Sequence, residues 1–529
     1  MAEFLPLGQS EFSAIRENGS IYVDKTRMIA ELASQPAAKV FLARPRRFGK
    51  SLLVSAFDAL FSHRMDLFKG LAAETLWKDE KSYPVIRLDF SRVKVFKRQE
   101  DFRSKLDALL RERSLDAGLN YEACGDPIAS FGLMLSRVLK SGGKVVLLID
   151  EYDAPLTEHL DQPQLFEQVR DALSEFYSLV KSLDGVFRFV FITGITRFSH
   201  TSIFSAFNNL RDISLMSKYG TLLGYTEEEI VSNFSAFLKE AQEELGLSPD
   251  ELMQELRRHY DGYCFDRDLK THVFAPWSVL NFLDSPESGF LNYWYLSGGR
   301  PAVLLNIMKS SSLASPEAYA KKQIVPSERL AGAQDYAGID PLALLVQAGY
   351  LTLKGKGAQG EYFLGYPNQA VSESMGWLYA DEMTGGNRMQ ATAGLDLRSI
   401  FSAGRPEELA RLFNKMFNAI DCTRYPVRDE AACRAFLQVL MLGAGLKPEV
   451  EVRSALGRSD LEVELGEAHW VFELKFARKG EDEAPLLDAA IRQLADRRYG
   501  ETPHRKALKR LALVFSEEKR GFTAWKEAA

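Results

Sequence analysis

The sequence predicts an α/β protein in which two α/β domains flank a helical region, across 529 residues. Over the first ~220 residues, short apolar strands alternate with amphipathic helices, which favours a mostly parallel, doubly wound sheet. From about Tyr225 the pattern becomes helical. Toward the C-terminus, helical sequence leads into three strand-like runs, a helix and a last strand, which indicates the second α/β domain.

We expect three domains, at about 1–225, 226–390 and 391–529, because a domain averages roughly 150 residues. The middle domain is expected to be helical and winged-helix-like. Its best linker candidate to the last domain is EMTGGN, around Gly385 and Gly386, because glycine pairs interrupt regular structure.

The composition excludes a generally basic surface, since 66 basic residues face 72 acidic ones and leave a net charge of −6. Any nucleic-acid contact must therefore come from local positive patches. The four cysteines have no CxxC spacing, so we expect reduced thiols in a cytoplasmic protein. The N-terminus has no basic leader, and the apolar runs are too short to span a bilayer, so no membrane partner is expected.

Strands and helices of the first domain are predicted from its apolar pattern. Four strands are expected, at Lys39–Ala43, Val85–Phe90, Val145–Asp150 and Phe187–Thr193. A helix is expected from Ser51, because apolar residues recur at helical spacing at Leu53, Phe57, Leu60 and Phe61.

The segment RPRRFGKSLL lies between the first strand and this helix. Its residues Gly49, Lys50 and Ser51 match the last three positions of the phosphate-binding-loop pattern. Such a loop needs backbone N–H groups, a lysine for the β/γ-phosphates and a hydroxyl for Mg²⁺. The usual first glycine is replaced by an arginine. We therefore expect ATP and Mg²⁺ to bind here, with Ser51 as a metal ligand, at Arg44, Arg46, Arg47, Phe48, Gly49, Lys50, Ser51 and Leu52.

The third strand ends in Asp-Glu, about 100 residues after the loop, which is a Walker B arrangement. Asp150 is expected to hold Mg²⁺ through water, and Glu151 to polarise the attacking water. A buried strand with a solvated acidic end is the alternative. Thr193, at the end of the fourth strand, is a candidate sensor of the γ-phosphate. Arg197, which follows the strand, is a candidate phosphate contact in cis or in a neighbouring subunit of a homo-oligomer. The alternatives are that Thr193 caps a backbone group and that Arg197 is an ordinary surface residue.

Several longer segments resemble the AAA-ATPase-like family of bacterial and archaeal proteins. They are YVDKT (22–26), RPRRFGKSLL (44–53), LIDEYDAP (148–155), TGITRF (193–198), SIFSAFNNLRDIS (202–214), GYTEEEI (224–230), DGYCF (261–265), QAGYLTL (347–353) and LGYPN (364–368). The family's loop also begins with arginine. The resemblance implies a P-loop, AAA/STAND-like ATPase fused to a PD-(D/E)XK nuclease-like, restriction-endonuclease-like domain.

Apart from the family resemblance, the predicted C-terminal strands contain residues that are typical of a metal site. Strand-like runs at Glu449–Ser454, Asp460–Leu465 and His469–Phe476 precede a helix at about Ala484–Arg498 and a strand at Leu511–Phe515. Glu473 and Lys475 share one strand face, and a hairpin can bring Asp460 beside them. Two carboxylates suit Mg²⁺ or Mn²⁺, and a lysine can activate water for phosphodiester hydrolysis.

Two more residues complete this expected nuclease site. Glu451 is a further candidate ligand because it lies nine residues before Asp460. Gln493 is similar to the glutamine that follows the ELK strand in many nucleases of this type. The alternatives are that the ExK pattern arises by chance, or that the domain binds without cutting.

A basic group follows the predicted helix and is expected to grip phosphates, or else to be a solvated surface. Its members are Arg497, Arg498, His504, Arg505, Lys506, Lys509 and Arg510. Three hypotheses for function result, in this order. They are an ATP-regulated nuclease acting on DNA ahead of RNA, a signalling switch that does not cut, and a helicase–nuclease motor. The motor ranks last because no second GKS loop is present.

Overall fold

The protein is described by a computed structural model. It describes residues 4–160, 162–197, 209–296, 323–331, 340–383, 399–401, 403, 405–418, 420, 425–443, 446, 448–450, 452–454, 457–465, 468–500 and 506–528. Contacts divide the chain into two compact units. The first comprises Met1–Leu313 and Lys322–Ala370, and the second comprises Ala314–Lys321 and Val371–Ala529. The expected boundaries at 225 and 390 stay predictions, and the linker candidate at Gly385–Gly386 lies outside the described residues.

Five parallel strands, counted within the described residues, form the sheet of the first unit in the order β2-β3-β4-β1-β5. They are β1 (Ala38–Ala43), β2 (Val85–Asp89), β3 (Val145–Asp150), β4 (Phe187–Gly194) and β5 (Arg211–Asp212). Every residue of β3 is buried, as expected for a parallel strand covered on both faces. The expected parallel α/β fold is confirmed.

Helices of the first unit cover both faces of this sheet. Phe57 on one of them packs against Phe189 and Phe191 of β4, and Phe131 and Phe176 stack in a core cluster with β3 residues. These helices are α1 (Phe12–Glu17), α2 (Thr26–Ala33), α3 (Lys50–Phe61), α4 (Ala72–Leu76), α5 (Gln99–Asp116), α6 (Pro127–Lys140), α7 (Ala154–Thr157) and α8 (Pro163–Ser182). The four residues of the apolar face predicted for α3 are buried.

The carboxyl ends of the parallel strands meet at one edge of the sheet. Asp89 of β2 aligns with Asp150 of β3, and Ala43 of β1 aligns with Gly194 of β4. The loop that enters α3 starts from this edge. Ligands of such sheets bind beyond the carboxyl ends of the strands, so this edge is where a site is expected.

The rest of the first unit is mostly helical. Capping boxes begin two of its helices, at Thr226 with Glu229 and at Ser248 with Glu251. The helices are α9 (Glu227–Asn233), α10 (Ser235–Leu245), α11 (Pro249–Tyr260), α12 (Pro276–Asp284), α13 (Tyr293–Leu296) and α14 (Pro341–Gln347). An antiparallel sheet in the order β6-β8-β7 contains β6 (Gln323–Val325), β7 (Thr352–Lys356) and β8 (Tyr362–Gly365). Short 3₁₀ helices lie at Met65–Phe68, Phe90–Val93, Asp184–Val186, Ser217–Tyr219, Pro286–Ser288 and Ser327–Ala331.

The second unit is built on a mixed sheet in the order β15-β14-β13-β12-β9. Its strands are β9 (Pro448–Val450), β12 (Leu461–Leu465), β13 (Ala468–Ala477), β14 (Ala507–Ser516) and β15 (Gly521–Ala528). Its helices are α15 (Gln369–Met383), whose first two residues belong to the first unit, α16 (Pro406–Phe417), α17 (Glu430–Gly443) and α18 (Glu483–Asp496). Strand β13 is buried along most of its length and pairs antiparallel with β12 and parallel with β14.

Two details of the second unit differ from the sequence prediction. The run expected as one strand at Glu449–Ser454 is split, because β9 pairs with β12 while β10 (Arg453–Ser454) pairs with β11 (Gly457–Arg458). Strands β10 and β11 pair antiparallel, and the N–H of Ser459 donates to the carbonyl of Val452 at 3.0 Å. Strand β15 was not predicted, since its residues 523–527 are partly or fully exposed and the strand has no continuous apolar run.

Candidate functional site

A cavity of about 550 Å³ lies at the carboxyl edge of the parallel sheet. Part of its lining is polar and comes from the loop before α3, from Asp150 and from Glu151. Another part is apolar and includes Ile21, Leu223 and Trp277. Small-molecule sites measure roughly 300 to 1,000 Å³, so the cavity has room for a nucleotide with its base against the apolar lining.

The loop before α3 has the backbone of a phosphate-binding loop. Gly49 occupies the cap position of α3 with φ of 90°, in the left-handed region that favours glycine. The ammonium of Lys50 donates to the carbonyl oxygens of Arg44 and Pro45, at 3.1 and 3.0 Å. Burial lowers the pKa of Lys50, while Glu151 and Asp150 act in the opposite direction.

Asp150 and Glu151 complete the polar part of the cavity. Burial raises the pKa of Asp150, which the hydroxyl of Ser51 and the ammonium of Lys50 partly offset. The N–H of Glu151 donates to Oδ1 of Asp150 at 2.9 Å, and Glu151 has a positive φ of 49°. A glutamate in this region carries backbone strain, which is common in active sites. Lysine, hydroxyl and two carboxylates therefore lie together as MgATP chemistry requires.

A second group of charged residues lies in the C-terminal unit around β13. Lys475 Nζ donates to Oε1 of Glu473 at 2.8 Å. Oδ2 of Asp460 accepts the backbone N–H of Leu474 at 2.8 Å, which ties the start of β12 to β13. The structure thus brings together the three residues that the sequence pattern selected.

Helix α17 adds two charged residues that sequence reasoning missed. Oε2 of Glu430 lies 3.7 Å from Lys475 Nζ, and Nη1 of Arg434 lies 3.1 Å from Oδ1 of Asp460. Both belong to a helix about 30 residues before the strand motif, and no spacing rule connects the two. Burial first, and the neighbouring Asp460 second, raise the pKa of Glu473 to about 7 against the effect of Lys475.

The donor set of this group fits a hard divalent cation. Glu473 is only 1% exposed, and among the described residues its Oε2 has no hydrogen-bond partner. A buried carboxylate oxygen without a partner is costly unless a cation or water satisfies it. No group of three His, Cys, Asp or Glu side chains within the described residues is spaced to hold a metal. A cation would therefore rely on Asp460 and Glu473, the two ligands expected from the sequence.

Family comparisons match two separate parts of the chain. Residues 6–204 match the family described as Predicted AAA-ATPase, and residues 429–525 match the PD-(D/E)XK nuclease superfamily. An "Uncharacterized protein in vnfD 5'region" of Azotobacter chroococcum mcd 1 is 32% identical over 512 residues, which cover 94% of this chain and 93% of that protein. The chain belongs to the AAA-ATPase-like family. Within that family it carries a C-terminal PD-(D/E)XK nuclease-superfamily domain.

A solved structure was also matched, that of the Aeropyrum pernix ORC2 protein in ADPNP–ADP complexes. The match covers 69% of this chain and 92% of that chain, at 10% identity and a TM-score of 0.24. A TM-score this low carries no argument about function.

Two of the segments that resemble the AAA-ATPase-like family meet at the cavity. The Lys25 ammonium donates to both carboxylate oxygens of Glu229, at 2.6 and 2.7 Å, and to the carbonyl of Thr221 at 2.8 Å. Lys25 lines the cavity, whereas Glu229 belongs to α9. This pair was not predicted, because 204 residues separate its members.

Asp153 is a further residue that sequence reasoning missed in the AAA-ATPase-like domain. Its buried carboxylate accepts the N–H of Ile195 at 3.2 Å, the N–H of Thr196 at 2.7 Å and the hydroxyl of Thr196 at 2.5 Å. It therefore fixes the turn after β4. Its place in the acidic run after β3 was the available signal.

The structure does not bring the side chains of Thr193 and Arg197 to the cavity. The hydroxyl of Thr193 donates to the carbonyl of Leu42 at 2.7 Å, inside the sheet. Arg197 pairs with Asp212, and its Nη1 donates to the carbonyl of Leu330 at 2.8 Å. Although burial acts to raise it, the pKa of Asp212 is lowered by this arginine. Both predicted phosphate contacts are engaged in internal bonds.

The guanidinium of Arg44 is directed into the protein and not to the cavity. It is 1% exposed and donates to the carbonyls of Ala43, Ser214 and Tyr219, at 2.9, 2.6 and 3.1 Å. Its side chain therefore braces the phosphate-binding loop against the segment after β5, and its expected contact with nucleotide would have to come from the backbone. The cavity lining does include the other predicted loop residues, Arg46, Arg47, Phe48, Gly49, Lys50, Ser51 and Leu52.

The remaining predicted nuclease residues have different outcomes. Glu451 lies outside the described residues. Gln493 on α18 donates its amide to the hydroxyl of Tyr499 at 3.4 Å. That hydroxyl also accepts the N–H of Arg458 at 3.2 Å. Gln493 is therefore linked to Arg458 of β11 through the Tyr499 hydroxyl.

The basic group after α18 is only partly available to a ligand. Lys506 pairs with Glu464 at 2.8 Å, and Lys509 pairs with Glu527 at 3.1 Å. Arg510 is buried and donates to the carbonyl of Tyr499 at 2.9 Å. Arg497 and Arg498 are exposed, while His504 and Arg505 lie outside the described residues. In the part of the chain that the structure describes, no helix is long and apolar enough to cross a membrane.

Proposed function

We propose that this protein hydrolyses ATP in the cavity of its first unit and cleaves nucleic acid, DNA ahead of RNA, with a divalent cation in its C-terminal domain. The two family matches support an ATPase-like and nuclease-like function in general. The observation that carries the finer proposal is the buried, unpartnered Oε2 of Glu473 among the described residues, beside Asp460 and Lys475.

At the ATPase site, each side chain is assigned a role from its position. Lys50 would leave the loop carbonyls to contact the β/γ-phosphates, and Ser51 with Asp150 would hold Mg²⁺. Glu151 would orient the attacking water. Exposed Arg211 is a candidate for acting on a neighbouring subunit in a homo-oligomer.

At the nuclease site, Asp460 and Glu473 would hold Mg²⁺, for which Mn²⁺ can substitute. The bound cation supplies positive charge to the scissile phosphate. Lys475 is placed to orient water and to offset the charge that develops on the phosphate. Defence against phage or mobile DNA, in the cytoplasm of a prokaryote, is our proposal for the setting, and it rests on analogy with such fusions.

A direct test uses the purified full-length protein with linear, circular and single-stranded DNA and with RNA. Each substrate is incubated with and without ATP, in Mg²⁺, Mn²⁺ or EDTA. We expect cleavage that needs the divalent cation and is lost in Asp460→Ala, while ATP hydrolysis by that variant stays near the wild-type rate. Cleavage that survives in Asp460→Ala would remove this site from the proposal.

A second candidate function is a switch protein whose nuclease-like domain binds nucleic acid or a partner without cutting. The pairing of Arg434 with Asp460 favours it, because the arginine occupies an expected metal ligand. Wild-type protein that hydrolyses ATP but cleaves none of these substrates would support the switch.

A further inference from the structure

Asp460 in the C-terminal unit already has a cationic partner. Nη1 of Arg434 lies 3.1 Å from Oδ1 of Asp460, and the two side chains are 15% and 11% exposed. The other carboxylate oxygen accepts the N–H of Leu474. Both oxygens of the expected metal ligand therefore have protein partners. Because the pair is largely buried, salt screens it less than it screens a surface ion pair.

The ion pair between Arg434 and Asp460 belongs to a larger cluster of charged side chains, because Arg434 shares a helix face with Glu430. Glu430 and Arg434 are four residues apart on α17 and so lie on one face of the helix. Glu430 approaches Lys475 and Arg434 approaches Asp460. Together with Glu473, three carboxylates meet two cations, which leaves a formal charge of −1. The site is thus close to neutral before any metal binds.

We infer that Arg434 is a positioning residue that competes with the divalent cation for Asp460 and lowers the metal affinity of the free protein. The inference rests on the proposed metal-dependent function of this site. A guanidinium and a divalent cation repel each other at this distance, and both need the same carboxylate. Metal binding therefore requires that the bond between Arg434 and Asp460 breaks. If Asp460 had no arginine partner, metal binding would not have this cost.

The test is a Mn²⁺ titration of the nucleotide-free full-length protein, with free Mn²⁺ measured by electron paramagnetic resonance. Arg434→Met removes the charge but keeps most of the side-chain volume. We expect it to bind Mn²⁺ about tenfold more tightly than wild type, which corresponds to ~1.4 kcal/mol. Arg434→Lys keeps the charge and is expected to bind with nearly wild-type affinity. Asp460→Asn identifies which binding event belongs to this site.

The control removes one arginine elsewhere in the same unit. Arg411 on α16 is exposed, so Arg411→Met should leave the Mn²⁺ affinity unchanged. A purely structural role for Arg434 would weaken metal binding on substitution, so a gain of affinity separates the two explanations. If the Arg434→Met variant does not fold, Arg434→Gln replaces it in the same titration.

The outcomes separate this inference from the proposed function. Asp460-dependent Mn²⁺ binding of equal or lower affinity in the folded Arg434→Met or Arg434→Gln variant overturns the inference and leaves the metal site intact. If neither wild type nor these variants binds Mn²⁺ in an Asp460-dependent way, both the proposed metal site and the inference fail.

Discussion

Lys50→Ala tests the nucleotide site, and the structure gives the size of the expected effect. The Lys50 ammonium is buried and bonded to two loop carbonyls, so its desolvation is already complete before nucleotide binds. Binding exchanges these two bonds for two bonds to phosphate oxygens. A hydrogen bond to a charged group contributes about 1.5–3 kcal/mol, so the bonds from the ammonium to neutral carbonyls lie at the lower end of this range and the bonds to anionic phosphate oxygens lie at the upper end. At about 1.5 kcal/mol for each of the two bonds, the exchange stabilises the complex by about 3 kcal/mol.

This difference predicts that Lys50→Ala weakens ATP binding about 150-fold. Titration of a fluorescent ATP analogue, followed by competition with ATP, measures the dissociation constant. Lys69→Ala is the matched control, because it removes a lysine that is exposed and lies outside the cavity lining. Wild-type affinity in Lys50→Ala, with the control unchanged, would refute the assignment of this loop to phosphate binding.

Three further substitutions probe the same unit. Glu151→Gln should retain ATP binding but slow hydrolysis in a phosphate-release assay, because the amide cannot accept a proton from water; an unchanged rate would remove Glu151 from catalysis. Arg197→Ala should lower the melting temperature, because partly buried Asp212 loses its ion-pair partner at a cost of about 1–3 kcal/mol; an unchanged melting curve would contradict that pairing. Arg211→Ala should reduce hydrolysis about 10³–10⁵-fold with little change in affinity if this arginine acts across subunits; a wild-type rate would exclude that role.

The fold could be predicted where apolar residues form a continuous run. Strand β3 is buried at every position, and its predicted and observed bounds agree. Strand β5 contains only Arg211 and Asp212, which give no apolar pattern, so only its pairing with β1 reveals it. Helix α3 begins at Lys50, one residue before the expected start, because Gly49 supplies the left-handed cap. The local sequence pattern thus predicts the type of an element well. Tertiary pairing decides the short strands and the exact ends of elements.

The candidate sites show the same limit at the level of side chains. Spacing along the chain was sufficient to select Asp460, Glu473 and Lys475, because a hairpin joins their strands. The ion pair of Asp460 with Arg434 joins a strand to a helix and follows no local rule. Likewise, the pattern suggested Thr193 as a phosphate sensor, but its bond to the neighbouring strand depends on sheet order. Sequence identifies the reactive residue types, and only the fold identifies which of them are already engaged.

The ionisation of Glu473 gives a last prediction, on the pH dependence of the C-terminal unit. Burial, and then the charge of Asp460, raises the pKa of this carboxyl from its usual 4.5 to about 7. Between these values the folded protein binds more protons than the unfolded chain, so its stability without metal should fall as pH rises from 4.5 to 7. Glu473→Gln removes this carboxyl, so its stability should fall less over that interval in thermal melts.

Metal binding should have the opposite pH dependence, because a cation needs the ionised carboxylate. We expect Mn²⁺ affinity to rise through pH 7, with proton release at pH 6 that nearly disappears at pH 8. Calorimetry in two buffers of different ionisation enthalpy measures that release directly. Glu473→Gln should abolish the binding event, since it removes the buried oxygen that has no partner among the described residues. Equal Mn²⁺ affinity at pH 6 and pH 8 in the wild type, without proton release, would show that Glu473 is not a ligand. The proposed nuclease chemistry would then need another donor beside Asp460.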